Sequence, residues 1–190
     1  MCKLHALAGQ DTEFAGKGVP DDQRPTDILP GWVIPKHYNV WIAPSLDTFT
    51  FDGTVDITMD VVESTKLIVL NSQHITIHKA SLAVGDDKQD ALSTSFDEDK
   101  QQVTFEFAEF VEAGSTAVIT VVFTGIHNDK MAGFYRSSYV LDGEKRYMLA
   151  TQFESTDCRQ AFPSFDEPAL KATFDVTLQV DSSLVALSNM

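Results

Sequence analysis

From Leu29 onward, apolar and polar residues alternate with a period of two. Tyr38, Val40 and Ile42 are interleaved with Asn39 and Trp41. Val55, Ile57, Met59 and Val61 are interleaved with Thr54, Asp56, Thr58 and Asp60. Successive strand side chains point to opposite faces, so such runs predict half-buried strands with one wet face. Val103, Phe105 and Phe107 repeat the pattern after a polar turn at Asp97–Lys100, and Phe174, Val176, Leu178 and Val180 repeat it near the end. Ile75 and Ile77 lie between His74, Thr76 and His78, Leu67–Leu70 reads as a short inner strand, and Val118–Phe123 is rich in β-branched residues. Asp142-Gly143, between Ser138–Leu141 and Glu144–Leu149, predicts a two-residue hairpin. Asp52-Gly53 predicts another tight turn.

Helical periodicity is nearly absent. Short turns near Thr156–Gln160 and Glu167–Lys171 are the only helix candidates. Regularly spaced strands with turn signals between them indicate an all-β domain, a sandwich or a strongly curved sheet. Residues 1–27 carry Gly9, Gly16, Gly18, Pro20 and Pro25 with no sustained period, and read as a flexible arm before a β domain over 28–190. Ser188-Asn189-Met190 follows a strand without a closing element, which leads us to expect further chain downstream.

Charge narrows the range of partners. With 14 basic and 28 acidic residues the net charge is −14, a field that repels nucleic acid and anionic membrane surfaces. Its plainest role is solubility. Two cysteines, Cys2 and Cys158, are too few for a disulfide framework. No apolar run approaches the roughly 18 residues that a spanning helix needs. Met1–Gln10 lacks the form of a signal peptide and is poor in Arg, so a cytoplasmic location is expected.

Few side chains suggest chemistry. His74 and His78 are four apart, but Ile75 and Ile77 make the segment a strand, which separates the two rings by about 13 Å. Shared coordination of a zinc ion, with Zn–N near ~2.0 Å, is then excluded. His5, His37 and His127 have no neighbouring ligand pattern, and His37 reads as structural. Asp166-Glu167 could pair for acid–base work, but adjacent extended residues face opposite ways, and Pro168 marks a turn. If Gln152–Glu154 is extended, Gln152 and Glu154 share one side while Phe153 faces the core. That arrangement sets an amide beside a carboxylate at a strand end.

The run Gln152-Phe153-Glu154-Ser155-Thr156-Asp157-Cys158-Arg159-Gln160-Ala161-Phe162-Pro163-Ser164-Phe165-Asp166-Glu167-Pro168-Ala169-Leu170-Lys171-Ala172-Thr173-Phe174 resembles the N-terminal domain signature of the gluzincin zinc aminopeptidases, of the puromycin-sensitive and fungal cytosolic type. Leu29–Tyr38, Phe51-Asp52-Gly53, Leu70-Asn71-Ser72 and Gly133–Tyr139 match the same family in order. The resemblance implies a saddle-shaped β domain seated over a thermolysin-like catalytic domain. It further implies that Glu154 anchors the free α-amine of a peptide and that Gln152 lines the pocket for the first side chain. A charge-assisted contact of that kind is strong, and a blocked peptide cannot make it.

The sequence departs from the family in lacking its Gly-Ala-Met-Glu-Asn loop, His-Glu-x-x-His, the distant third Glu ligand and the oxyanion-stabilising Tyr. Hydrolysis needs zinc with an open position and a general base. This chain alone is therefore expected to hold no metal, to contain no catalytic residue and to be inactive, with zinc supplied by the catalytic domain of a longer parent. The expected partners are a peptide with a free N-terminal amine and that catalytic domain. The alternatives are a stand-alone β module that binds peptide N-termini or a partner protein without catalysis, and a generic β scaffold.

Overall fold

A computed structural model describes residues 28–188. The predicted arm at 1–27, with Cys2 and His5, lies outside the described residues, as do Asn189 and Met190. The chain is all-β, as its patterning predicts. Eleven strands follow in order: β1 (Val33–Ser45), β2 (Thr50–Val61), β3 (Thr65–Asn71), β4 (Ile75–Val84), β5 (Asp87–Asp90), β6 (Ser93–Asp97), β7 (Gln102–Val111), β8 (Thr116–Ile126), β9 (Gly133–Leu141), β10 (Glu144–Gln152) and β11 (Thr173–Leu178). One 3-10 turn, Cys158–Gln160, stands where the first helix candidate was expected. At the second, Glu167–Lys171, the chain makes only a turn closed by Leu170 N–H donating to the Glu167 carbonyl.

The strands form a six-stranded sheet in the order β11-β1-β2-β8-β4-β5, a three-stranded sheet β3-β7-β6 and the hairpin β10-β9. Their apolar faces meet in one core. Tyr38, Val55, Ile57, Met59, Leu82, Ile119 and Val121 come from the large sheet, and Ile68, Leu70, Val103, Phe105 and Phe107 from the small one. In β1 a bulge between Pro35 and His37 switches the buried set from Val33 and Pro35 to Tyr38, Val40 and Ile42. A second bulge between Ile77 and Lys79 does the same in β4, handing the core face from Ile75 to Ala80 and Leu82. Leu67–Leu70 is an edge strand with one buried face, not an inner strand, because among the described residues β3 has β7 as its only strand neighbour.

Asp52-Gly53 is not a turn. Both residues lie inside β2, opposite Thr124 and Phe123 of β8. Glycine is there for room: a Cβ at Gly53 would collide with the Phe123 ring, and one at Gly125 with the Phe51 ring. The two pairs, Gly53↔Phe123 and Phe51↔Gly125, are directly opposed across the same two strands, so each ring lies over the other strand's glycine. The turn that does connect β1 to β2 spans residues 46–49. The Asp142-Gly143 hairpin forms as predicted, with φ of 55° and 83°, both in the left-handed region that a primed turn requires.

β11 returns to pair in parallel with β1, from His37↔Thr173 to Ile42↔Leu178. His37 fastens this seam: its Nδ1 is 2.7 Å from Thr173 Oγ1, and its Nε2 is 3.4 Å from Asp175 Oδ2. The residue is structural, as the sequence suggested.

Candidate functional site

The segment from Gln152 to Glu167 closes one end of the sandwich, and its position is set by apolar anchors. Phe153, half-buried, meets Phe162 edge-on at 6.3 Å, and Phe162 meets Tyr38 the same way. Tyr38 is almost fully buried and its hydroxyl accepts the Phe165 N–H at 3.0 Å. Burial drives its phenol pKa well above the ordinary range. Asn71, at the end of β3, exchanges backbone hydrogen bonds with Ser164 and takes the Asp166 N–H on Oδ1 at 3.1 Å.

Gln152 is the last residue of β10, half-buried, and pairs with Gly133 across the hairpin. The strand stops there. Residues 154–157 form a turn closed by Asp157 N–H donating to the Phe153 carbonyl at 3.0 Å, and the Glu154–Ser155 peptide bond is cis. The extended Gln152–Glu154 geometry assumed from sequence therefore does not occur, since the chain folds back on itself after Phe153. Phe153 does pack against the core, as expected. Glu154 is exposed, two residues beyond Gln152, and has no ion-pair or side-chain hydrogen-bond partner among the described residues.

Asp166 and Glu167 are structural, as their adjacency predicted. Glu167 Oε1 accepts the Leu29 N–H, tying the start of the domain to this segment. Asp166 receives the buried guanidinium of Arg159: Nε donates to Oδ2 at 2.9 Å, and Nη2 to the Asp166 carbonyl at 3.3 Å. Nη1 donates to Gln101 Oε1 at 3.0 Å. Arg159 was not singled out from sequence. The available signal is one cation and the acidic pair Asp166-Glu167 bracketing the largely apolar run Ala161–Phe165, a pattern that buries Arg159 only if it meets a counter-ion.

His127 has no ligand pattern in the sequence either. It is fully buried between the Phe51 and Phe134 rings, at 5.0 and 4.6 Å, with Nδ1 3.3 Å from the Phe134 carbonyl. Its Nε2 has no partner among the described residues. Desolvation lowers its pKa below the ordinary imidazole value. His74 and His78 are both exposed, and His78 Nε2 contacts Thr124 Oγ1 at 2.6 Å. Among the described residues no three His, Cys, Asp or Glu side chains converge to hold a metal ion. The described residues thus offer no donor set for a zinc ion, which the resemblance places in the catalytic domain of a longer parent.

A family model described as the Peptidase M1 N-terminal domain matches residues 34–190. Aminopeptidase 2 of Candida albicans is 48% identical over 163 residues, covering 86% of this chain and 17% of that protein. Aminopeptidase M1 of Arabidopsis thaliana is 45% identical over 167 residues, covering 85% and 19%. The puromycin-sensitive aminopeptidase of Caenorhabditis elegans is 39% identical over 189 residues, covering 98% and 20%. The chain thus spans about a fifth of the length of these relatives. With an all-β core and a match over most of its length, this chain belongs to the family of peptidase M1 N-terminal domains.

Proposed function

We propose that this chain is the substrate-capping N-terminal part of a zinc aminopeptidase that removes N-terminal residues from peptides. In this reading the Glu154 carboxylate receives the free α-ammonium of the peptide and Gln152 lines the pocket for its first side chain. Zinc and the general base belong to a catalytic domain outside residues 1–190, so the chain alone has no turnover. A cytoplasmic setting is part of the same proposal, although one relative from Saccharomyces cerevisiae carries "mitochondrial" in its name.

One observation carries the reading: Glu154 stands exposed, with no cationic partner among the described residues, on a turn whose flanks are anchored in the core. A carboxylate kept without an internal cation can accept an external one. On the open chain that ion pair stays hydrated and is worth about 0–1 kcal/mol. Covered by a second domain it would strengthen as water is excluded.

The test is an NMR titration of the chain with trialanine and with N-acetyl-trialanine. We expect the free-amine peptide to bind about two- to fivefold more tightly, the span that a solvated ion pair supports. Shift changes should centre on Glu154, and the preference should vanish in Glu154→Ala. Equal binding of both peptides to the wild-type chain would refute the assignment.

A further inference from the structure

The geometry points to Arg159 as the residue that fixes where the Glu154 carboxylate stands, a positioning role that rests on the amine-binding reading above. Arg159 cannot itself meet a ligand. It is 9% exposed, and its Nε, Nη1 and Nη2 all donate inward, to Asp166 and Gln101. Gln101 belongs to the loop between β6 and β7, so the guanidinium joins the candidate site to the small sheet. The Arg159 backbone joins in as well, its carbonyl accepting the Gln73 N–H at 3.0 Å.

From Arg159 the fixation runs back to Glu154 through a nearly unbroken hydrogen-bonded path. Gln160 N–H donates to the Asp157 carbonyl and Gln160 Nε2 to Asp157 Oδ1, while Asp157 N–H donates to the Phe153 carbonyl. Glu154 follows Phe153 directly, and with Ser155 and Thr156 it makes the short loop that this path closes. The turn is also seated on β9. A Cβ at Gly133 would stand 2.6 Å from Gln160 Cβ and 3.2 Å from the Asp157 carbonyl, and φ there is +68°. Glycine lets the two backbones touch. Gly133 is also the cross-strand partner of Gln152. The amide and the carboxylate are therefore referenced to the same point, and Arg159 holds the turn against it. A guanidinium is suited to this because its planar fork serves three acceptors at once, which an ammonium on a flexible stem does not.

Arg159→Lys keeps the charge and loses the fork. Gln101→Asn keeps a residue that tolerates the left-handed φ of 54° at that position, but its shorter arm cannot reach Nη1. It serves as a milder variant should the lysine substitution impair folding. Two readouts are taken on the chain: hydrogen exchange of the Asp157 and Gln160 amides, and the preference for trialanine over N-acetyl-trialanine. We expect those amides to exchange about tenfold faster in Arg159→Lys, the effect of losing roughly one charged hydrogen bond. Core amides in β2 and β8 should keep their protection, and the free-amine preference should fall to parity. Gln101→Asn should move both readouts the same way by a smaller factor. Unchanged exchange, or faster exchange with the preference intact, would overturn the positioning role while leaving Glu154 as the anchor. If Glu154→Ala binds both peptides as the wild type does, the anchor itself is wrong and Arg159 has no ligand to position.

Discussion

At positions 53 and 125 the chain does without a side chain so that two phenylalanines can lie flat across the central strands. Gly53 and Gly125 sit opposite Phe123 and Phe51, and neither has a left-handed φ, so the requirement is space and not conformation. Adding one methyl at Gly53 forces the Phe123 ring out of its place in a filled core. Overpacking of this kind costs about 1–3 kcal/mol. We expect Gly53→Ala to lower the urea midpoint by an amount within that range, with the slope of the transition unchanged. An equal or higher midpoint would mean that the ring relaxes freely. The buried Arg159–Asp166 pair stands at the other extreme of cost. Removing one member leaves the other charge without its counter-ion, a loss of about 3–5 kcal/mol. A variant lacking either charge is thus expected to report on folding before it reports on ligand binding, which is why the milder substitutions above are the informative ones.

The hairpin β9–β10 leans on the rest of the molecule through a few aromatic contacts. Phe49, in the turn between β1 and β2, meets Tyr147 at 4.9 Å and carries the Arg136 guanidinium over its ring at 4.4 Å. His127 anchors the base of the hairpin through the Phe134 carbonyl and ring. Arg136 is the charged group that acts on His127, and it disfavours the imidazolium, as burial also does. Because His127 titrates lower in the folded chain than the usual ~6.5 of the unfolded one, the unfolded state binds more protons below that pH. The contribution is complete above the ordinary imidazole value and is lost as pH falls toward the depressed folded value. We expect the melting temperature to fall between pH 7 and pH 5, and the slope over that window to flatten in His127→Phe. An identical slope in the variant would assign the loss to the carboxylates.

Much of this organisation was legible in the pattern of residues. Alternation located β1, β2 and β7, because each has one face on a single core, β-branched content located β8, and Asp142-Gly143 announced its hairpin, because both residues accept positive φ. Asp52-Gly53 misled, because the same dipeptide serves a turn by conformation and a strand by absence of bulk, and only the cross-strand neighbour tells the two apart. Motif resemblance nominates Gln152 and Glu154 for the candidate site, and Phe153 packs against the core as its place in the run suggests. The turn at 154–157 was not foreseen, since it depends on hydrogen bonds that link residues four apart and on a seat supplied by Gly133. Arg159 stayed hidden for a related reason: its acceptor on Gln101 is 58 residues away.

The surface of the molecule is uneven. In the hairpin β9–β10, Val140 is 72% exposed and Tyr139, Leu141, Tyr147 and Met148 are exposed as well, and Met131, in the loop before β9, is 70% exposed. By the register of the two strands Val140 and Tyr147 lie on one face of the hairpin and Tyr139, Leu141 and Met148 on the other, so both faces expose apolar side chains on an otherwise acidic chain, which invites association. We expect the chain to form dimers or larger species as its concentration rises, by light scattering, and Val140→Lys with Met148→Lys to suppress them. A monodisperse monomer over a wide concentration range would show that neither face drives contact.

The parallel seam of β11 on β1 joins residues 136 apart, His37 and Thr173. Contacts of such high sequence separation form slowly, because a long loop must close before they repay it. During synthesis the outer edge of β1 therefore waits, unpaired, until nearly the whole segment has left the ribosome. For that interval a newly made chain presents an open strand edge, a template for unwanted partners. The domain's exposure to chaperones and to misassembly is thereby set by the order in which its strands are translated.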